Sequence, residues 1–290
     1  MLSYRHGFHA GGWADVHKHV ALTLLLSHLR QKPTAFSVID AFSGDAVYDL
    51  AAPDAQKTGE FVTGITRIWD AADAPPGVEG YLAVVHAANR GGRLAIYPGS
   101  PALARALLRD GDRLILNELH PTAHRALAAW AEGDPRVAVH RRDAAELIGA
   151  LVTPQLKRGV VLIDPAYEVK AEYETIPAAV VRAVKAWPQG IFAVWYPVLA
   201  EARHLDLMAS LYRALADMDN LASIVAEIAP SALVLNSGRG MRGAGLVIIN
   251  PPWQFDDEMA RAGAWLAGRL WSPEAGRHIL CPLADYDFNQ

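Results

Sequence analysis

Cysteine is almost absent from the chain, with Cys281 as the single one among 290 residues. That scarcity excludes a disulfide framework and a cysteine-based zinc site, and we expect no metal site. Long apolar runs are missing too, since nowhere do about 18 apolar residues follow one another, and residues 1–9 lack the apolar core of a secretory signal. We therefore expect a cytoplasmic protein without a membrane partner.

An excess of positive charge is also missing. The 27 lysines and arginines are outnumbered by 31 aspartates and glutamates, which gives a formal net charge of −4. Avid nonspecific binding of nucleic acid needs a broad basic surface, so any contact with RNA must depend on a local patch. The remaining composition, 52% hydrophobic and 20% charged, is typical of a globular chain with one large domain or a domain with an insertion. We expect a monomer.

Strand-like and helix-like apolar patterns alternate along most of the chain and predict a doubly wound, mainly parallel α/β sheet. Asp15 and Ser100 are expected as helix N-caps. Residues about 50–98 break the alternation, which predicts a small helical subdomain at 50–98 inserted into a core of 1–49, with an N-terminal arm, and 99–290. Strands are predicted at 36–39, 113–118, 137–140, 160–163, 191–196, 223–229 and 245–250. Helices are predicted at about 15–29, 100–108, 122–132, 144–152, 175–187 and 201–216.

The most informative stretch is Asp-Pro-Ala-Tyr at 164–167, directly after the apolar run 160–163. Ligands of open α/β sheets bind beyond the carboxyl ends of the strands, where Asp164 would lie. A planar amine becomes nucleophilic when acceptors draw its hydrogens out of conjugation, and the Asp164 carboxylate and the Pro165 carbonyl are two such acceptors. The ring of Tyr167 could stack on an extruded base. The alternative is that Asp-Pro only ends a strand and Tyr167 only packs.

Three other residues are expected at the same edge of the sheet. Gly44 follows the first strand and can adopt a positive φ close to a ligand. Glu118 ends the second strand, where a carboxylate can accept both hydroxyls of a ribose, and Asp143 ends the third, where it can accept from an adenine amino group. Each acid alone could be a helix cap or a surface charge. Together they favour a nucleoside ligand, and S-adenosylmethionine is the nucleoside cofactor that needs no phosphate-binding glycine cluster.

Seven stretches carry a family resemblance: MLSYRHGFHAG at 1–11, ADVHKH at 14–19, YPGSP at 97–101, NELHP at 117–121, LIDPAYE at 162–168, WYP at 195–197 and NPPW at 250–253. They span essentially the whole chain and resemble the bacterial 23S ribosomal RNA adenine-N6 methyltransferase family of the J type. The resemblance implies a Rossmann-like class I methyltransferase with an inserted helical subdomain. It would transfer a methyl group from S-adenosylmethionine to N6 of one adenosine in 23S ribosomal RNA.

The resemblance also implies roles for single residues. Lys18 and His19 would contact the methionine end of the cofactor, and Asp164 would be the acceptor at the amine beside the cofactor. Tyr4 would touch the RNA. Apart from the resemblance, the composition of the arm suggests that Arg5 and His6 form a local basic surface for RNA, with a packed arm as the alternative. The remaining residues of the cofactor pocket would be Phe42, Gly44, Ser100, Glu118, Asp143 and Ala144.

The sequence departs from the family pattern at three positions, where Phe42, Ala46 and Ala166 replace the usual His, Gly and Pro. Phe42 can pack on the cofactor without polar contacts. Ala46 would cost about 1 kcal/mol if its φ were positive. Ala166 leaves both acceptors of the motif in place.

Three alternative functions stay open at this point. Asp-Pro-x-Tyr also suits methylation of N6 of adenine in DNA or of an amide nitrogen in a protein. The three departures would suit a ribosome-associated RNA-binding factor with a degenerate cofactor site. A nucleotide-dependent oxidoreductase is poorly supported, because the turn at 40–46 after the first strand is not a G-x-G-x-x-G fingerprint.

Overall fold

The architecture is built around one eight-stranded sheet, beside which lies a separate two-stranded ribbon. The structure is a computed structural model that describes residues 5–151, 157–216, 218, 221–231 and 240–288. No helix in this part of the chain is long and apolar enough to cross a membrane. The strands of the sheet and of the ribbon are β1 (Ser37–Asp40), β2 (Val47–Asp49), β3 (Ile96–Pro98), β4 (Arg113–Asn117), β5 (Val137–His140), β6 (Gly159–Ile163), β7 (Ile191–Val198), β8 (Ser223–Pro230), β9 (Gly243–Ile249) and β10 (Gly276–Pro282). The strand order in the sheet is β10-β8-β9-β7-β6-β1-β4-β5, and β2 and β3 form the ribbon.

One half of the sheet is parallel. Strands β5, β4, β1, β6 and β7 pair in parallel, so their carboxyl ends meet at one edge. All five residues of β6 are buried, as its apolar, mostly β-branched sequence predicts for a strand covered on both faces. The prediction of a doubly wound, mainly parallel sheet is confirmed.

The other half is antiparallel and was only partly predicted. Strand β9 pairs antiparallel with both β7 and β8, and β10 pairs antiparallel with β8. The sequence prediction missed β10 and the helix Phe255–Leu270 before it. Strand β10 is a partly exposed edge strand without a clean apolar pattern, and the helix begins after Gln254, whose side chain makes no capping bond.

Helices cover both faces of the sheet, which creates two apolar cores. The helix Trp13–Arg30 packs on one face together with those at 76–88, 100–107 and 255–270, and the helices at 144–151, 172–186 and 203–215 pack on the other. They are α1 (Trp13–Arg30), α2 (Pro53–Thr58), α3 (Glu60–Thr63), α4 (Pro76–Ala88), α5 (Ser100–Leu107), α6 (Pro121–Ala131), α7 (Ala144–Leu151), α8 (Glu172–Ala186), α9 (Arg203–Leu215) and α10 (Phe255–Leu270).

The segment at 50–98 contains α2, α3 and α4, and β2 and β3 pair antiparallel at its base. Helix α4 packs against α1, so the segment shares the core of one face. The assignment of 50–98 as a separate subdomain stays a prediction.

The start of α1 differs from the prediction. Gly12, not Asp15, is the N-cap, and the Asp15 carboxylate lies inside the first turn, where it accepts a hydrogen bond from the Gly11 backbone N–H. Ser100 was likewise expected to cap α5, but Gly99 does so and Ser100 is the first helical residue. The Asp15 carboxylate instead contacts His6 and Lys18, and the Ser100 hydroxyl donates to Asp40.

Candidate active site

A cavity of about 350 Å³ opens at the carboxyl edge of the parallel strands. This volume lies in the range of small-molecule sites, roughly 300–1,000 Å³. Pro165 and Tyr167 are not among its lining residues. All nine residues proposed from the sequence as cofactor contacts line it: Lys18, His19, Phe42, Gly44, Ser100, Glu118, Asp143, Ala144 and Asp164.

Lys18 links helix α1 to the end of β6. Its side chain is 4% exposed, and Nζ donates hydrogen bonds to Asp15 Oδ1 at 2.8 Å and to Asp164 Oδ2. Burial opposes the charge of Lys18, but the two carboxylates outweigh it and raise the pKa of its amine. The predicted site residues Lys18 and Asp164 are therefore partners, a contact that the sequence analysis did not predict.

Asp15 completes this network on the other side of Lys18. Its Oδ2 lies 2.9 Å from His6 Nε2, so the N-terminal arm is tied to the same carboxylate. Burial favours the neutral acid, yet the nearby positive charges of His6 and Lys18 hold the pKa of Asp15 well below its usual range. Successive contacts from His6 to Asp15, from Asp15 to Lys18 and from Lys18 to Asp164 thus connect the N-terminal arm to Asp164 and hold its carboxylate in place.

The loop after Asp164 is held by Tyr167. This residue adopts φ +53°, an uncommon conformation for a residue with a side chain, and its hydroxyl donates to the Trp195 carbonyl at 2.7 Å. Its ring is 8% exposed and packs on Tyr173 with a centroid distance of 4.4 Å. In this conformation the ring packs in the core rather than facing the cavity, and its role in base stacking stays a prediction.

The turn after β1 is built on Gly44 and Glu118. Gly44 has φ +58°, and a Cβ there would lie 2.7 Å from the Tyr48 hydroxyl oxygen, so both conformation and space favour glycine. Its N–H donates to Glu118 Oε2 at 2.9 Å, and the His120 N–H donates to Oε1 at 2.6 Å. Ala46 does not adopt a positive φ, so its methyl group does not strain this turn.

Two further predicted residues make local contacts. Asp143 Oδ1 accepts from the backbone N–H groups of Ala145 and Glu146, so this oxygen caps α7. His19 is 1% exposed, and its Nδ1 lies 2.7 Å from the Tyr97 hydroxyl. Burial and the charge of Lys18 lower the pKa of His19 well below its usual range, which keeps the ring neutral.

Sequence analysis missed Asp40 as a site residue. It ends β1, and its Oδ2 accepts a hydrogen bond from the Ser100 hydroxyl at 2.7 Å, while buried Oδ1 has no partner among the described residues. Burial raises the pKa of Asp40 to about 6. The available signal was its place at a strand end, which it shares with Asp164.

Comparison with known proteins identifies the family. A family model described as "RsmJ: Ribosomal RNA large subunit methyltransferase D, RlmJ" matches residues 33–280, most of the chain. The chain belongs to this RlmJ family. Ribosomal RNA large subunit methyltransferase J of Escherichia coli is 38% identical over 271 residues, which cover 93% of this chain and 94% of that protein. The Haemophilus influenzae protein of the same name is 36% identical with the same coverage.

A solved structure shares the fold over almost the whole chain. The crystal structure of protein LPL1258 from Legionella pneumophila superposes with a TM-score of 0.86 at 33% identity, covering 94% of this chain and 98% of that one. This RlmJ-family chain is a methyltransferase with the Rossmann-like class I fold, as the sequence predicted.

The charge of the cavity in this RlmJ-family chain fits a cationic cofactor. Its lining carries more carboxylates than cationic side chains, and the buried Asp40 lies beside it. A sulfonium bearing an amino acid is attracted to such a surface, whereas RNA phosphates are repelled. The six lining acids are Asp45, Asp54, Glu118, Asp143, Asp164 and Glu172, and the lysine and arginines are Arg5, Lys18 and Arg142.

The arm of the RlmJ-family chain lies at the mouth of the cavity. Arg5 is 66% exposed and pairs with Asp54 of α2 at 2.6 Å, and both line the cavity with His6. His9 Nδ1 lies 2.8 Å from Glu60 Oε1 of α3. The arm therefore joins the segment at 50–98 to the site. Tyr4, predicted to contact RNA, lies outside the described residues.

Proposed function

We propose that this chain transfers a methyl group from S-adenosylmethionine to N6 of a specific adenosine in 23S ribosomal RNA. The observation that carries the proposal is Asp164, held by Lys18 at the carboxyl end of β6 and followed by Pro165. The names of the relatives, which are methyltransferases of large-subunit ribosomal RNA, support the substrate class. Such an enzyme would work in the cytoplasm, and we propose that it acts as a monomer.

S-adenosylmethionine would supply an electrophilic methyl group on a sulfonium. Lys18 occupies Oδ2 of Asp164, which leaves Oδ1 as the acceptor for one hydrogen of the target amine. The Pro165 carbonyl would accept the other, so that the nitrogen lone pair points at the methyl group. This catalysis depends on positioning and on electrostatic stabilisation of the charge that develops on the amine. Asp164 then takes the departing proton or passes it to water.

The other residues of the cavity would hold the cofactor. Glu118 would accept from the ribose hydroxyls, and Gly44 allows the close approach of the backbone. Phe42 lines the cavity and would pack against the cofactor without a polar contact. Lys18 and His19 would lie at its methionine end, and the turn at Asp143 and Ala144 at its adenine.

We also propose that the arm and the segment at 50–98 form the entry for RNA. Arg5 is mostly exposed beside the cavity, and its ion pair with Asp54 links the arm to α2. His6 lies between this exposed arm and the buried Asp15. A local cationic and aromatic surface from Tyr4, Arg5 and His6 would meet RNA without requiring a basic protein overall.

The test is the Asp164→Asn variant, with Asp110→Asn as the matched control. Asp110 is exposed and precedes β4, at the opposite edge of the sheet. We expect Asp164→Asn to retain the fold and to lower methylation of 23S ribosomal RNA at least about 100-fold, a typical loss for one such group. Asp110→Asn should behave like the wild type. Near-normal methylation by Asp164→Asn would remove Asp164 from the acceptor role.

A further inference from the structure

Glu172, which the sequence analysis did not single out, lies at the start of α8 and lines the cavity. Its side chain is half-buried, and Oε2 is buried without a hydrogen bond from any of the described residues. A buried carboxyl oxygen without a donor is costly, so it indicates a group that is supplied by a ligand.

The surroundings of Glu172 suit a flat purine. Small and apolar side chains line the cavity around it, and α7 packs against α8 on this side of the sheet. Burial raises the pKa of Glu172, and the negative charges of Glu168 and Asp143 add to that rise; Asp143 lines the same cavity. The neighbouring lining residues are Ala144, Ala166 and Ile176.

An adenine amino group carries two hydrogens, and when buried it needs two acceptors. Asp143 can offer one, since its Oδ1 already caps α7 and Oδ2 is left. We propose that Glu172 is a specificity-determining residue that accepts the second amino hydrogen of the cofactor's adenine, opposite Asp143. This inference rests on the proposed use of S-adenosylmethionine.

Glu172 could also have a purely structural role, which the experiment has to distinguish from recognition of the amino group. Backbone groups of Val169 and Tyr167 lower the pKa of Glu172, so its carboxylate also interacts with the loop that follows Asp164. If that were its whole role, its loss would weaken all ligands of the cavity alike. Recognition of the amino group affects only ligands that carry it.

The experiment compares two ligands by calorimetry: S-adenosylhomocysteine and S-inosylhomocysteine, in which an oxygen replaces the adenine amino group. The test variants are Glu172→Met and Glu172→Ala, which remove the acceptor, and Glu172→Gln, which keeps an acceptor oxygen. Glu174→Met is the matched control, because Glu174 is an exposed acid in the same first turn of α8. Thermal unfolding of each variant verifies that it is folded.

We expect the wild type to prefer the adenosyl ligand, and this preference to shrink about tenfold or more in Glu172→Met and Glu172→Ala. Glu172→Gln should retain part of it and Glu174→Met all of it. An unchanged preference in Glu172→Met and Glu172→Ala, or an equal loss for both ligands, would overturn the inference. Absence of binding to the wild type would instead overturn the proposed cofactor, and the inference with it.

Discussion

Replacing Lys18 by Met is expected to destabilise the protein strongly. The substitution keeps an unbranched apolar stem but removes the charge between Asp15 and Asp164, whose side chains are 4% and 13% exposed. Asp164 would then lack its cation, and Asp15 would keep only its contact with His6. Removing one partner of a buried ion pair costs about 3–5 kcal/mol, because the remaining charge stays buried without compensation. We expect a loss of this size in the free energy of unfolding.

Urea denaturation at neutral pH measures this loss directly. Lys185→Met is the control, because Lys185 is exposed near the end of α8 and its replacement should cost less than about 1 kcal/mol. The double variant Lys18→Met with Asp15→Asn should be less destabilised than the sum of the single changes, since one uncompensated carboxylate is gone. A Lys18→Met protein within about 1 kcal/mol of the wild type would refute the reasoning.

Three further predictions concern stability and binding. Gly44→Ala should cost about 1 kcal/mol of stability and weaken the binding of S-adenosylmethionine in calorimetry, because φ is +58° and an added Cβ would lie too close to the Tyr48 hydroxyl. The control Gly91→Ala should change neither stability nor binding, because the space around Gly91 is open. His17 is buried without a partner among the described residues, and burial with His278 lowers its pKa, so only the unfolded chain binds its proton below about pH 6.5. The free energy of unfolding should therefore fall as pH drops from 7 to 5, and His17→Leu should make that fall shallower by up to about 1.4 kcal/mol per pH unit; an equally steep fall would contradict this. Arg5→Ala should weaken binding of a ribosomal RNA fragment in a fluorescence titration while leaving S-adenosylmethionine binding within about twofold of the wild type; equal RNA affinity would exclude Arg5 from the RNA surface.

The parallel half of the sheet was predictable because its signals are local. Strand β6 is a continuous apolar run that stops at Asp164, and Pro101 in the first turn of α5 predicts the start of that helix. Strand β5 matches the prediction at 137–140 in full. The topology rule for parallel sheets then placed Gly44, Glu118 and Asp143 at one edge without knowledge of any contact.

The contacts inside the site were not predictable in the same way. Lys18 and Asp164 are 146 residues apart in the chain, and no local pattern joins them. Glu172 is one of several acids near the start of α8, and only the fold singles it out. Asp15 and Ser100 match the preferences of N-cap residues, yet Asp15 pairs with Lys18 within the same helix and the Ser100 hydroxyl donates to the distant Asp40.

The two Pro-containing tetrapeptides show how topology decides between similar sequences. The stretch at 250–253 resembles Asp-Pro-Ala-Tyr at 164–167 in sequence. It follows β9, which runs antiparallel to β7, so it lies at the edge of the sheet opposite Asp164. Trp253 is 84% exposed there, whereas Tyr167 is packed. Strand direction, which cannot be read directly from the sequence, therefore separates the candidate site at 164–167 from the similar tetrapeptide at 250–253.

The most direct test of the account is methyl transfer itself. The purified protein is incubated with S-adenosylmethionine and unmodified 23S ribosomal RNA, and the RNA is digested to nucleosides and analysed by mass spectrometry. We expect N6-methyladenosine from the wild type and almost none from Asp164→Asn. Methylation of a different atom, or none from a wild-type protein that binds S-adenosylmethionine with the RNA present, would contradict it.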